Sequence, residues 1–306
     1  MKIFLSGGTG FVGSHLLRRL LRDGHLVRAL VRDPRLLAQL SSEIGQLETV
    51  QGDVLAPLPA DALAGCDAVI HLVGIIYEQK GSSFDSVHSV GTEHVVTAAQ
   101  QAGVQRFVQM SALGARAGDA SRYHTSKFAA EEIVRKSSIP HVVLRPSLIF
   151  GPGSGFVEQM TALMRRVPFV RPVAGTGQYR FAPIYVDDVV ECFAQSLTST
   201  AATNQTVNLV GPEELTLEEI GDEIALCLGV RKSALHIPMP LMKSAATLFS
   251  FLPVRPPVTR DQLRMLEEGS TADPEPMKRI FHIQPIGFRR GLRQYLCATR
   301  ESSAAN

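Results

Sequence analysis

Apolar residues run together over Lys2-Ile3-Phe4-Leu5, and from Val12 they recur at Leu16, Leu17, Leu20 and Leu21 with Arg18, Arg19 and Arg22 between them. The first pattern predicts a short buried strand and the second a helix with one apolar face, ending at Gly24. The same alternation repeats. Leu26–Val31, Leu47–Asp53, Ala68–Gly74, Arg106–Met110 and His141–Leu144 predict strands. Helical spacing covers Phe84–Gln101, closed by Gly103, and resumes near Tyr123 with Lys127 and Ala130 on one side. Six strands alternating with helices predict an α/β chain built on a doubly wound, largely parallel sheet.

Beyond Gly151-Pro152-Gly153 the rhythm changes. Prolines at 168, 172 and 183 and glycines at 175 and 177 break the chain into loops, and Ile184-Tyr185-Val186-Asp187-Asp188-Val189 leads into a further helix. Thr206–Val210 is strand-like, and Thr216-Leu217-Glu218-Glu219 is a capping-box start to a helix reaching Leu228. The expected organisation is a nucleotide domain over 1–150, with a return of the chain around 181–210. A smaller mixed substrate domain would comprise 151–180 and 211–306.

The turn Ser6-Gly7-Gly8-Thr9-Gly10-Phe11-Val12-Gly13 between the first strand and helix carries the first chemistry. Its glycines allow a tight turn, a close approach of backbone to a pyrophosphate, and helix-on-strand packing, while the helix start favours phosphate charge. A dinucleotide is the expected guest. An acidic residue about 20 positions on would grip a ribose diol, whereas an arginine there accommodates a 2′-phosphate. Arg32 stands 22 residues after Gly10, so NADP(H) is expected in preference to NAD(H). Asp33 carries the opposite case, and a solvated Arg32 at the strand end is the plain alternative. Asp53 and Gly74 end strands on the cofactor side, Asp53 to meet the adenine amino group and Gly74 to let backbone pass close. His71, inside an apolar strand, is expected to be a satisfied core residue.

Composition narrows the partners. At 306 residues and 45% hydrophobic content the chain can bury a sizeable core, and a formal charge of +2 gives no nucleic-acid footprint. Cys66, Cys192, Cys227 and Cys297 lie far apart without a Cys-x-x-Cys pair, so neither a zinc site nor a disulfide framework is expected, and a reducing cytoplasm fits. Nine histidines form no defensible metal pair. The N-terminus lacks a signal-peptide pattern, so no export is expected. Leu241–Leu252, between Pro240 and Pro253, is too short to span a bilayer; it is expected as a helix buried between domains, with a place on a membrane surface as the alternative.

Tyr123 and Lys127 are four apart and share a helix face. An ammonium near a phenol, with a positive oxidised nicotinamide, lowers the tyrosine pKa, so the phenol would exchange a proton with a substrate oxygen while hydride moves. Ser111, ending the fifth strand, would orient that oxygen. Catalytic candidates are therefore Ser111, Tyr123 and Lys127.

Gly7-Gly8-Thr9-Gly10-Phe11-Val12-Gly13, Ser111, Tyr123-x3-Lys127, Leu144-Arg145-Pro146-Ser147 and Tyr185-Val186-Asp187-Asp188-Val189 together resemble the extended or atypical short-chain dehydrogenase/reductase superfamily, a Rossmann family that includes NAD-dependent epimerases and dehydratases. Val87-His88-Ser89-Val90-Gly91, Ser111-Ala112-Leu113-Gly114-Ala115, Ser121-Arg122-Tyr123 and Pro257–Gln262 are similar to the nucleotide-binding accessory-subunit branch of respiratory complex I and its bacterial relatives. The resemblance implies that Gly7, Gly10 and Gly13 hold pyrophosphate, with Thr9, Phe11 and Val12 in the same turn. It gives Arg32 the 2′-phosphate, Asp53 the adenine with Val54 beside it, Val73 and Gly74 the facing strand end, Lys127 the nicotinamide ribose, and Pro146 and Ser147 the carboxamide edge. One departure stands out: the superfamily commonly has asparagine, which helps relay protons to the lysine, where this chain has His88.

Two functions follow from the resemblance. One is an NAD(P)H-dependent oxidoreductase, or a sugar-nucleotide epimerase or dehydratase, acting on a small-molecule or quinone-like substrate. The other is a cofactor-holding subunit of a respiratory assembly or of quinone metabolism, cytoplasmic and possible as a membrane-peripheral protein. Fold alone does not choose between them. In the second half, Arg165, Arg166, Arg171 and Arg180 would suit a diphosphate clamp, with surface salt bridges as the alternative.

Overall fold

The computed structural model describes residues 1–37, 46–59, 61–167, 169–250 and 258–297. The first half forms β1 (Lys2–Ser6), α1 (Phe11–Arg22), β2 (Leu26–Val31), β3 (Leu47–Gln51), β4 (Ala68–His71), α2 (Gly91–Gln101), β5 (Arg106–Met110), α3 (Arg122–Lys136) and β6 (His141–Pro146). All six strands join one parallel sheet, and Gln205–Leu209 adds a seventh beside β6. The order is Gln205–Leu209, β6, β5, β4, β1, β2, β3. The order of successive strands reverses between β1 and β4, so the loops after these strands open a crevice at their carboxyl ends.

Burial explains the sheet. Ile3, Phe4, Leu5, Val69, Ile70, Phe107, Val108, Val142, Val143 and Leu144 are fully buried, as strands covered on both faces require. The α1 stripe of Val12, Leu16, Leu17, Leu20 and Leu21 is buried while Arg18 and Arg22 stay exposed. Phe4, Val69 and Phe107 meet Val95, Val96, Ala99 and Val134 from α2 and α3 in one core. Each such buried aliphatic or aromatic side chain contributes about 1.5–3 kcal/mol.

The helix expected from Phe84 onward differs in its first turns. Asp85–Val90 is a π-helix, and α-geometry begins only at Gly91. The wider turn places His88 inward, with 1% of its surface exposed. Wide turns of this kind often sit at functional positions.

The chain divides into two compact units, the first comprising Met1–Pro146, Val189–Leu209 and Glu275–Ile283. The second comprises Ser147–Asp188, Val210–Pro274 and Gln284–Asn306. It contains a parallel pair, Val170–Ala174 with Ser233–Ile237. The helix Leu217–Leu228 begins with a full capping box between Thr216 and Glu219. Its core gathers Phe150, Phe181, Tyr185, Ile220, Ile224, Phe288 and Leu292.

Three expectations change here. Cys227 and Cys297 form a disulfide with Cα atoms 4.9 Å apart, although 70 residues separate them; a pairing over that distance leaves no spacing signature. Cys66 and Cys192 are buried and form no disulfide. The helix at Leu241 spans Met239–Ser250 and is not buried throughout, since Leu241 and Leu248 are 61% and 68% exposed. Finally, the four arginines sit on three elements, and Arg171 points inward, 2% exposed, with its guanidinium 2.5 Å from the Asp222 carboxylate. Arg171 is a structural ion pair.

Candidate active site

The glycine turn closes directly into α1. The Gly10 amide donates to the Gly7 carbonyl at 3.1 Å, and the Ser14 amide to the Gly10 carbonyl at 2.8 Å. Gly7 has φ +85°, and a Cβ there would stand 3.1 Å from the Val73 nitrogen. A Cβ at Gly13 would overlap the Gly7 carbonyl. The turn therefore lies against the end of β4. Thr9 and Gly10 are exposed, Phe11 is half-buried, and Val12 anchors the helix in the core. No side chain caps the start of α1, so its first amides face outward as an anion site. These residues fit a dinucleotide.

The neighbouring strand ends are polar or open. The Asp53 carboxylate accepts from the Leu55 amide at 3.1 Å, forming the turn after β3. Val54 packs in the core, and its carbonyl accepts from His94 Nδ1 at 2.8 Å. Arg32 is exposed at the end of β2. Asp33 beside it accepts from the Arg35 amide at 3.0 Å and guanidinium at 2.8 Å, and these bonds hold its carboxyl below the usual carboxylate range. A carboxylate at this strand end suits a ribose diol and repels a 2′-phosphate.

Ser121 caps α3, accepting from the His124 amide at 3.3 Å, and so brings Tyr123 and Lys127 onto one face. Lys127 is 3% exposed, and its Nζ donates to the Met110 carbonyl at 3.2 Å. A Cβ on Gly74 would come within 2.7 Å of Nζ. A side chain at residue 74 would push the ammonium from this position. Burial pushes the Lys127 pKa down to about 8, with Glu131 opposing.

Tyr123 sits among rings. It makes edge contacts with Phe84 and His88, centroids 5.8 and 5.5 Å away. Burial pushes the phenol up to about 12, and the lowering expected above draws on the charge of an oxidised nicotinamide as well as on Lys127. The reason is desolvation: sharing a face with Lys127 does not bring enough positive charge to the hydroxyl to offset it.

His88 is held at both nitrogens. The Ile75 amide donates to Nε2 at 3.0 Å, and Nδ1 lies 2.8 Å from Ser126 Oγ. Ser126 Oγ donates to the Tyr123 carbonyl at 2.8 Å, so it accepts from the ring, and the network assigns the proton to Nδ1. Burial, with Lys127 nearby, pushes the His88 pKa down to about 2. The ring is thus a neutral brace between α3 and the segment after β4.

Ser111 is turned to a different partner than expected. Its hydroxyl donates to Glu131 Oε1 at 2.5 Å. Glu131 is fully buried and also receives Arg145 Nε at 2.7 Å, Arg145 Nη2 at 2.5 Å and Arg135 Nη2 at 2.6 Å. The Ser111 proton is committed to this cluster, leaving its oxygen only as an acceptor for anything else. Sequence reasoning missed Glu131, whose signal is its place one turn after Lys127 and one turn before Arg135 on α3. It missed Glu78 as well, which pairs with Arg122 at 2.7 Å and accepts from the Phe84 amide at 2.9 Å.

Other expected positions have partners within the fold. His71 is fully buried, with Nδ1 2.5 Å from Ser6 Oγ, but its Nε2 has no partner among the described residues, so it is only half satisfied. The Pro146 carbonyl accepts from the Leu113 amide at 2.9 Å. Ser147, in the second unit, donates to the Ser270 carbonyl and accepts from the Ser270 hydroxyl, both at 2.8 Å.

A parallel crossover sheet with a glycine turn at its reversal point defines an NAD(P)-binding α/β protein. A model of the NAD(P)H-binding family matches residues 7–161, just over half of the chain, and the chain belongs to that family. It is 31% identical over 252 residues to the ceramide reductase of Caulobacter vibrioides, covering 80% of this chain and 76% of that one. It is 28% identical over 255 residues to the mitochondrial NADH dehydrogenase [ubiquinone] 1 alpha subcomplex subunit 9 of Arabidopsis thaliana, covering 80% of this chain and 62% of that subunit's length. Among solved structures, UDP-glucuronic acid 4-epimerase from Bacillus cereus, in complex with UDP-glucuronic acid and NAD, superposes with a TM-score of 0.74 at 17% identity, covering 99% of this chain and 100% of that one. Fold and family support an NAD(P)-dependent enzyme of the oxidoreductase and epimerase type.

The cofactor preference is corrected by the same comparison. The similar structures described with a nicotinamide cofactor hold NAD, against the NADP(H) preference drawn from Arg32. The physical reason is Asp33, whose ionised carboxylate stands at the same strand end. Among the described residues, no helix is long and apolar enough to cross a membrane, and no group of three His, Cys, Asp or Glu side chains is placed to hold a metal ion.

Proposed function

We propose that this chain is an NAD(H)-dependent oxidoreductase or epimerase that acts on a hydroxyl-bearing carbon of a nucleotide-linked sugar. The observation that carries the reading is the Lys127 ammonium, buried between Gly74 and the Met110 carbonyl, one helical turn from the Tyr123 phenol. Glycines 7, 10 and 13 with the start of α1 hold the pyrophosphate, and Asp33 takes the ribose diol. Lys127 holds the nicotinamide ribose, and Val73 and Gly74 leave it room. Pro146 and Ser147 form the carboxamide edge.

The nicotinamide, when bound, supplies the hydride acceptor and, oxidised, a positive charge. Tyr123 takes the proton from the substrate hydroxyl and returns it. With its pKa at about 12 the phenol stays protonated at neutral pH, and the positive charge an oxidised nicotinamide would bring near the ring would lower it towards a working range. Lys127, at about 8, stays largely protonated at neutral pH and keeps its part in that field. His88 holds the helix without exchanging a proton. Because Tyr123 both takes and returns this proton, one phenol would serve either direction of hydride transfer at the carbon.

The sugar-nucleotide substrate rests on the UDP-glucuronic acid bound by the similar epimerase. A second reading, a cofactor-holding subunit of a respiratory assembly, is favoured by the resemblance to the Arabidopsis subunit and by the commitment of Ser111 to Glu131. One experiment separates them. Protein loaded with NAD is mixed with a panel of UDP- and dTDP-sugars, and nicotinamide absorbance and product stereochemistry are followed, with Tyr123→Phe beside it. Turnover that disappears in the variant supports the enzyme. Tight NAD binding with no conversion of any sugar removes the enzymatic reading in favour of the subunit.

A further inference from the structure

We propose that His94 is the positioning residue for base recognition: by holding the peptide between Val54 and Leu55, it aims the Asp53 carboxylate so that the pocket takes adenine in preference to hypoxanthine. The inference rests on the reading that Asp53 meets the adenine amino group. The turn after β3 is tied at each peptide. Asp53 Oδ1 accepts from the Leu55 amide at 3.1 Å, and the Asp53 carbonyl accepts from the Ala56 amide at 3.2 Å. The Val54 carbonyl, at the other edge of the Leu55 peptide, accepts from His94 Nδ1 at 2.8 Å. A carbonyl can only accept, so Nδ1 carries the proton in the neutral and the charged ring alike. A peptide is planar. Fixing the Val54 oxygen therefore fixes the direction of the Leu55 N–H, and that N–H fixes Oδ1. Ring, peptide and carboxylate form one chain in which each bond polarises the next. Oδ2 is the oxygen left for the base.

Packing holds the same turn. Val54 is 4% exposed and clusters with Val95 and Val96 of α2. A Cβ on Gly91 would stand 3.0 Å from Val54 Cγ2. Gly91 and His94 are three apart and so lie on one side of α2, which receives the valine side chain and grips its carbonyl. Base chemistry then decides what the turn accepts. Adenine presents an amino donor, which a carboxylate oxygen accepts. Hypoxanthine presents an oxygen at the same place, and a carboxylate repels it. A carboxylate free to swing would turn away to water and discriminate little. One held in a single direction keeps the difference, so selectivity depends on how firmly His94 fixes the peptide.

The test is calorimetric titration of the full chain with NAD and with nicotinamide hypoxanthine dinucleotide. Their nicotinamide halves are identical, so the ratio of affinities reports the base alone. The wild type should prefer NAD about tenfold or more. His94→Phe keeps a ring without a donor and should cut the preference to about threefold or less. His94→Asn, whose amide nitrogen stands where Nδ1 does, should restore it. Should His94→Phe fail to fold, His94→Leu carries the same expectation. A histidine that only stabilised the fold would weaken both dinucleotides alike. An unchanged ratio in the Phe or Leu variant therefore overturns the proposal, and if Asp53→Asn abolishes the preference in that case, the reading of Asp53 still stands. A wild type with no preference for NAD overturns that reading and the inference together.

Discussion

The Ile75 amide donates to His88 Nε2 at 3.0 Å, and this bond places the imidazole proton on Nδ1, facing Ser126. An imidazole so held has no free lone pair and no mobile proton. His88 and His71 are both buried, with pKa values pushed down to about 2 and about 3 from an ordinary 6.5. The unfolded chain takes up these two protons below pH 6.5 and the native state does not, so stability falls as pH drops through 6.5. Each group contributes about 1.4 kcal/mol per pH unit, or about 2 kcal/mol by pH 5. In urea unfolding from pH 8 to 5, His88→Asn should remove one proton's worth of the slope that the wild type shows. Nitrogen-15 spectra should show the Nδ1–H form of His88 unchanged over that range; titration near 6.5 would mean that the brace is open.

Lys127 carries a stability cost that its proposed role, holding the nicotinamide ribose, would explain. Its folded pKa is about 8 against an ordinary 10.5, because the ammonium is buried with few partners. The native state loses its proton first, so stability rises with pH between about 8 and 10.5. Below pH 8 the buried charge costs about 3 kcal/mol. Lys127→Met should therefore raise the urea midpoint at pH 7 and have a smaller effect at pH 10, while calorimetry shows NAD binding weakened about tenfold or more. A variant less stable at pH 7 would mean that the ammonium has stronger partners than the Met110 carbonyl.

Glu131 accepts from Ser111, Arg135 and Arg145 while fully buried. Glu131→Gln leaves the guanidinium groups without their counter-charge and should cost about 3–5 kcal/mol. Ser111→Ala removes one donor and should cost about 1–3 kcal/mol. If Ser111 serves mainly this cluster, NAD affinity in Ser111→Ala stays near wild type while the unfolding midpoint falls. A loss of turnover at unchanged stability would return Ser111 to the substrate.

What the sequence made legible was local. β2 and β5 have the bounds that their apolar runs suggested, and the capping box at Thr216 starts its helix where Thr216 and Glu219 required. The glycine turn was legible because glycine spacing, strand and helix are contiguous. Pairings across the fold were not. Ser111 and Glu131 are 20 residues apart, His88 and Ser126 are 38 apart, and Cys227 and Cys297 are 70 apart, and no periodicity links them. Tyr123 shows the same limit: helical spacing put it beside Lys127, but the balance of burial against charge depends on Phe84 and His88 packing on its ring.

If Asp33 faces the cofactor ribose as proposed, it selects the cofactor by charge. Its carboxylate, ionised and paired with the exposed Arg35, meets either a ribose diol that can donate two hydrogen bonds or a 2′-phosphate that it repels. NADH should therefore bind more tightly than NADPH in titrations of nicotinamide fluorescence. Asp33→Ala removes both the acceptor and the repulsion, so NADH should weaken about tenfold while NADPH improves, with Arg32 then free to meet the phosphate. The ratio should shrink further at low salt, because the remaining arginine attraction is exposed and screened. If Asp33→Ala changes both cofactors equally, the carboxylate does not face the ribose.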